Sequence, residues 1–149
     1  MIEDKQNAHK ETAINCFNAT WDLIEKNNRT KDEDREMIHT AHASLYHWLQ
    51  VGTPLEFARG EWIVSRVYSI LGMGHSALYH GEASLQICLD NGIEGFDISF
   101  GYEAMARAYK VLGENKKMEE YVDMALKSAE KIKNDDDKKY TLSEINNIK

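Results

Sequence analysis

Proline occurs once in the 149 residues, cysteine twice, and no apolar run approaches the roughly 18 residues that a membrane-spanning helix needs. Each shortage excludes something. Cys16 and Cys88 cannot supply a disulfide framework, so a reduced, cytoplasmic protein is expected. Positive charge is also scarce: 18 Lys and Arg face 25 Asp and Glu, for a net charge of −7. Phosphate backbones are held by basic footprints, which removes nucleic acid from the expected partners. The N-terminal Met1-Ile2-Glu3-Asp4-Lys5 is polar and acidic where a secretory signal is basic and then apolar. No membrane partner is expected. Alternating strand patterns are missing too, because both flanks of Asn91-Gly92 keep helical spacing. The chain reads as all-α, one domain over residues 1–149, long enough to bury about 68–70% of its unfolded surface.

What is present is helical periodicity with regular punctuation. Residues 5–27 keep Ala13, Cys16, Thr20 and Ile24 at helical spacing, with Phe17 and Leu23 beside them. Thr30-Lys31-Asp32-Glu33 has the capping-box pattern and opens a second helix carrying Met37, Ala41, Leu45, Trp48 and Leu49. Thr53-Pro54-Leu55-Glu56 combines an N-cap, a proline at the first helical position and a glutamate three residues on, so a third helix starts there and runs to Gly72. Further helices are predicted over 76–89, 94–112 and 115–131. Gly52, Gly72, Gly92 and Gly113 follow periodic segments, as left-handed C-caps would. The charged run Asn134 to Lys139 reads as a solvated linker. Thr141-Leu142-Ser143-Glu144 then opens a short terminal helix or a frayed tail. The result is three antiparallel hairpins over 5–52, 54–91 and 94–133, with a tail over 134–149.

Arg66-Val67-Tyr68-Ser69-Ile70-Leu71-Gly72 returns as Arg107-Ala108-Tyr109-Lys110-Val111-Leu112-Gly113. A string repeated at fixed spacing points to a repeated helical unit, and about three such units are needed to share a core. Over residues 59–129 the chain resembles the tetratricopeptide-repeat (TPR) family. The matching positions are Tyr68, Gly72, Ala77, Ser84 and Leu85, then Tyr109, Gly113, Met118, Ala125 and Leu126. The family pattern wants a small residue at Met118, and the first hairpin matches poorly. The resemblance implies three stacked hairpins in a right-handed array. It also implies a concave groove lined by the first helix of each hairpin, with no cofactor and a protein or peptide as partner.

Carried over residue by residue, that groove holds Arg59, Trp62, Arg66, Glu103 and Arg107. Arg59, Trp62 and Arg66 share a helix face by their spacing alone. Two guanidiniums on neighbouring helices can clamp a carboxylate, with Trp62 stacking beside it, so an anionic or C-terminal peptide segment is the expected ligand. Opposed to this stands an intrahelical Glu103–Arg107 pair with Trp62 filling the core. A second class comes from the second helix, where Glu36, His39, His42 and His47 lie opposite its apolar face, with Tyr46 nearby. Three imidazoles there suggest a metal-dependent helical-bundle enzyme using His39, His42 and His47, completed by His75 or His80. A third reading is a structural homodimer through helix one, where Phe17 and Trp21 leave an apolar face. Tyr68, Tyr109, Met105, Met118 and Met124 read as core, and Asp97 as a charge on a helix start.

Overall fold

The computed structural model describes residues 2–148 and is helical throughout, with no strand among the described residues. Among the described residues seven helices follow one another: α1 (Ile2–Glu25), α2 (Lys31–Val51), α3 (Pro54–Ile70), α4 (Gly74–Asp90), α5 (Phe96–Val111), α6 (Asn115–Ala129) and α7 (Asp135–Asn146). Helix α1 packs along α2, α3 along α4, and α5 along α6. These pairs join through α2–α3, α4–α5 and α3–α5, and α7 lies on α5 and α6. Packing of adjacent pairs in this order is consistent with a helical repeat array.

The pairs are fastened by the same device. Buried Ser44 donates to the Ala13 carbonyl, Ser84 to Ala58 and Ser99 to Ala125, each at 2.8 Å. Ser84 and Ala125 stand one sequence period apart, as do Ala58 and Ser99, so donor and acceptor change helices between the second and third pairs. A buried hydroxyl without a partner would destabilise each pair, and a helical carbonyl has a lone pair to spare. Neighbouring pairs close on glycine. Gly60 lies against Leu45 and Gly101 against Leu85, again one period apart. Two apolar clusters result, one around Met37, Leu45 and Ile63, the other around Met105, Val122 and Ile145.

The helix ends agree with the punctuation in most places. Glu33 and Thr30 form the reciprocal capping box, and Glu56 accepts from both the Thr53 amide and its hydroxyl at 3.0 Å. Gly72 and Gly113 both have φ of 76°. The next amides, of Met73 and Glu114, reach back to the Tyr68 and Tyr109 carbonyls at 2.8 and 2.9 Å. That six-to-one bond needs the left-handed glycine before it. Gly52 is a correction: its φ is −86°, so α2 ends without a left-handed residue.

The C-terminal segment corrects the sequence reading more substantially. Asn134 caps α7 by accepting from the Asp137 amide at 2.9 Å, so the three aspartates form the first turn of a helix rather than a linker. Carboxylates there face the positive end of the helix dipole. Thr141 opens no helix; it is buried in mid-helix and donates to the Asp137 carbonyl. Ile145 and Ile148 are buried and tie α7 into the second core cluster. Met124, expected in the core, is 43% exposed, whereas Met105 and Met118 are buried.

Candidate functional site

The parallel run of α3, α5 and α7 is legible in their contacts: Arg59 meets Asp97, Trp62 meets Glu103, Phe100 meets Tyr140 and Arg107 meets Glu144. Each helix turns one face to the same side, and α1 adds Phe17 and Trp21 from the far edge. Between them lies a cavity of about 460 Å³. Six aromatic residues line it: Phe17, Trp21, Trp62, Phe96, Phe100 and Tyr140. Their contacts form an unbroken series, in which Trp21 stacks on Trp62 with centroids 5.9 Å apart and Trp62 meets Phe100 edge-on at 5.5 Å. Phe100 continues to Phe96 at 4.7 Å and to Tyr140 at 6.0 Å. The polar wall is Ser84 and the charged Arg59, Asp97 and Asp137. Arg59 donates through Nε and one terminal nitrogen to the two oxygens of Asp97, at 2.8 and 3.2 Å.

Of the residues expected in a ligand groove, the structure brings Arg59 and Trp62 to this cavity. Arg66 and Arg107 line a second, smaller one of about 180 Å³ towards the C-terminal ends of α3 and α5. Glu103 lies between the two groups and is fully buried. It accepts from the Trp62 indole at 3.2 Å, and its other oxygen stands 3.0 Å from Arg107 Nε, charge-paired but off hydrogen-bond alignment. Burial pushes the Glu103 carboxyl above the usual range, while Arg107 and Arg66 pull it back. Burial, reinforced by the charge of Arg107, lowers the Arg66 guanidinium, and its Nε has no hydrogen-bond partner. Arg107 also donates to the carboxylate and the carbonyl of Glu144. Lys110 donates to the Ile148 carbonyl. These two cations therefore hold α7 in place.

The histidines expected to converge instead diverge. His47 turns to α1 and meets His9, Nδ1 to Nδ1, at 2.8 Å. His42 points the other way, to the Tyr68 hydroxyl at 2.8 Å, with the His80 ring 5.3 Å off. His39 is exposed. His80 stacks on Tyr68 and pairs with Glu61 at 2.7 Å. Among the described residues no group of three His, Cys, Asp or Glu side chains is arranged to hold a metal. Desolvation, with the charge of His80, holds the His42 imidazole below the ordinary histidine value, against a smaller pull from Glu61. A depressed histidine contributes stability above its unfolded pKa and loses it as pH falls. The unfolding temperature should therefore drop between about pH 7 and pH 5, and the drop should shrink in His42→Gln. An unchanged profile in that variant would show that His42 does not carry it.

The Cys88 thiol is not activated. Burial pushes Cys88 up to about 11. No helix of the described residues is long and apolar enough to cross a membrane. Sequence reasoning missed Phe96, Phe100 and Tyr140 as site residues. The signal for the first two was their four-residue spacing on the face that also carries Glu103 and Arg107. Tyr140 was hidden in the presumed tail. Set beside known proteins, the chain matches no family model, no curated protein and no solved structure.

Proposed function

We propose that the chain is a non-catalytic protein- or peptide-binding module, a TPR-like right-handed array of three hairpins closed by α7, which takes an apolar segment of a partner protein in the aromatic groove. One observation carries the reading: six aromatic side chains from α1, α3, α5 and α7 converge on a single cavity of about 460 Å³. Concave apolar sites with a few fixed polar groups are the usual form of a binding site. Arg59 and Trp62 touch the ligand in this reading, and Glu103 orients Trp62 and pairs Arg107. The occupant is not anionic, because among the described residues Arg59 is the one guanidinium at the cavity and two aspartates flank it. Its own charge is already answered by Asp97. Cytoplasmic residence belongs to the same reading, with both cysteines free.

Selection from a displayed random-peptide library tests it. Enriched sequences should share one or two aromatic or branched apolar residues. Tyr140→Ala, a change at a side chain 43% exposed, should weaken them by roughly tenfold or more, the size of an interface hot spot, with little change in unfolding temperature. No enrichment, or enriched peptides indifferent to Tyr140→Ala, would overturn the proposal. Self-association through α1 is the second reading, favoured by Ile14, 40% exposed on that helix. A single-chain mass at working concentration would remove it.

A further inference from the structure

The aromatic groove has an electrostatic character that an apolar ligand leaves unused. Aromatic rings present electron-rich faces, and a cation set against them is attracted by the ring quadrupole, most strongly by tryptophan. Trp21 and Trp62 both line the cavity. The Trp62 indole N–H is bound by the buried Glu103 carboxylate, which drives electron density into the ring. The polar wall adds the same sign. Arg59 is neutralised by a two-point pair with Asp97, which leaves Asp137 as the cavity carboxylate with no cationic side chain paired to it. Among the described residues the Asp137 carboxylate has no ion pair or hydrogen bond, and it stands in a first turn with Asp135 and Asp136. The whole chain carries −7, a field that draws basic segments and repels acidic ones.

We propose that the groove is an alkylammonium site: it takes a lysine-type side chain from a basic segment of a partner protein, with the ammonium among the rings of Trp21, Trp62, Phe100 and Tyr140 and facing Asp137. The proposal rests on the groove reading above and adds the charge of the occupant. Methylation of the ammonium tightens binding, because a methylated cation gives up water more easily and matches the aromatic wall. The partner is therefore basic, where the arginines read from the sequence alone had suggested an acidic one. Arg66, Arg107 and Lys110 lie at the other cavity and take no part.

The experiment uses the whole chain and short acetylated peptides differing at one central position, which carries norleucine, lysine or trimethyllysine. Binding is read from tryptophan fluorescence and confirmed by calorimetry. Affinity should rise in that order, with trimethyllysine at least roughly fivefold above norleucine, the span that cation–π contacts usually supply. Asp137→Asn should weaken the lysine and trimethyllysine peptides several-fold and leave norleucine unchanged. Its circular dichroism should match the parent, because the cap of α7 is supplied by Asn134. Free choline should bind more weakly than the trimethyllysine peptide; equal or tighter binding would overturn a peptide source in favour of a free quaternary ammonium compound. Norleucine binding as well as trimethyllysine would overturn the ammonium and leave the apolar groove standing. Failure of all three peptides to bind also overturns the ammonium. If Tyr140→Ala-sensitive peptides are nevertheless obtained by selection, the groove reading survives that failure.

Discussion

Glu103→Ala is expected to lower the unfolding free energy by about 3 kcal/mol, the lower end of the range for breaking a buried ion pair. For a chain of this size that is a fall of roughly 6–12 °C in unfolding temperature. The carboxylate is fully buried and answers three groups at once: the Trp62 indole, Arg107 at 3.0 Å and the Arg66 guanidinium. Removing it leaves two cations of one sign facing each other in a desolvated layer. Arg107 retains Glu144, which is why the upper end of the range is not expected. Glu103→Gln keeps an acceptor for the indole and should cost distinctly less than alanine. Chemical denaturation of both variants decides the matter. A loss below about 1 kcal/mol for alanine would mean that the pair contributes no more than an exposed one.

Gly101→Val should cost about 3 kcal/mol, at the high end for overpacking a core. A Cβ at Gly101 would stand 3.1 Å from the Leu85 Cα, and backbone cannot swing away. A β-branched side chain extends the clash and forces α4 and α5 apart. Gly60 occupies the equivalent place in the preceding unit, yet its nearest obstacle is the Leu45 Cδ1, the tip of a flexible side chain, at 2.8 Å. Gly60→Ala should therefore stay within about 1 kcal/mol of the parent, because alanine also recovers up to about 1 kcal/mol of helix propensity. Equal losses at the two positions would refute a backbone-limited contact between α4 and α5.

The repeat was the most legible feature because it is written in backbone requirements. Gly72 and Gly113 must be glycine at 76°, and Tyr68 and Tyr109 stand where the returning amide of a Schellman turn bonds. Residues one period apart also lie side by side, which brings Trp62 against Glu103. What remained hidden depended on competition between local signals. Thr141 to Glu144 has capping-box spelling, but Asn134 caps earlier and the apolar pull of Ile145 and Ile148 sets the register of α7. Gly52 looked like a left-handed cap by position alone. The partners of the three arginines were hidden for a different reason. Arg59, Arg66 and Arg107 share equivalent faces, yet charge pairing with Asp97, Glu103 and Glu144 is set by tertiary neighbours that spacing does not reveal.

The three tryptophans supply the most direct measurement of the groove reading. Trp21 and Trp62 line the cavity, whereas Trp48 on α2 does not. In a nitrogen-15 labelled sample titrated with a selected peptide, the indole signals of Trp21 and Trp62 should move in step and saturate together, and that of Trp48 should stay put. Saturable binding that leaves Trp21 and Trp62 unmoved would place the partner elsewhere on the molecule and contradict the account.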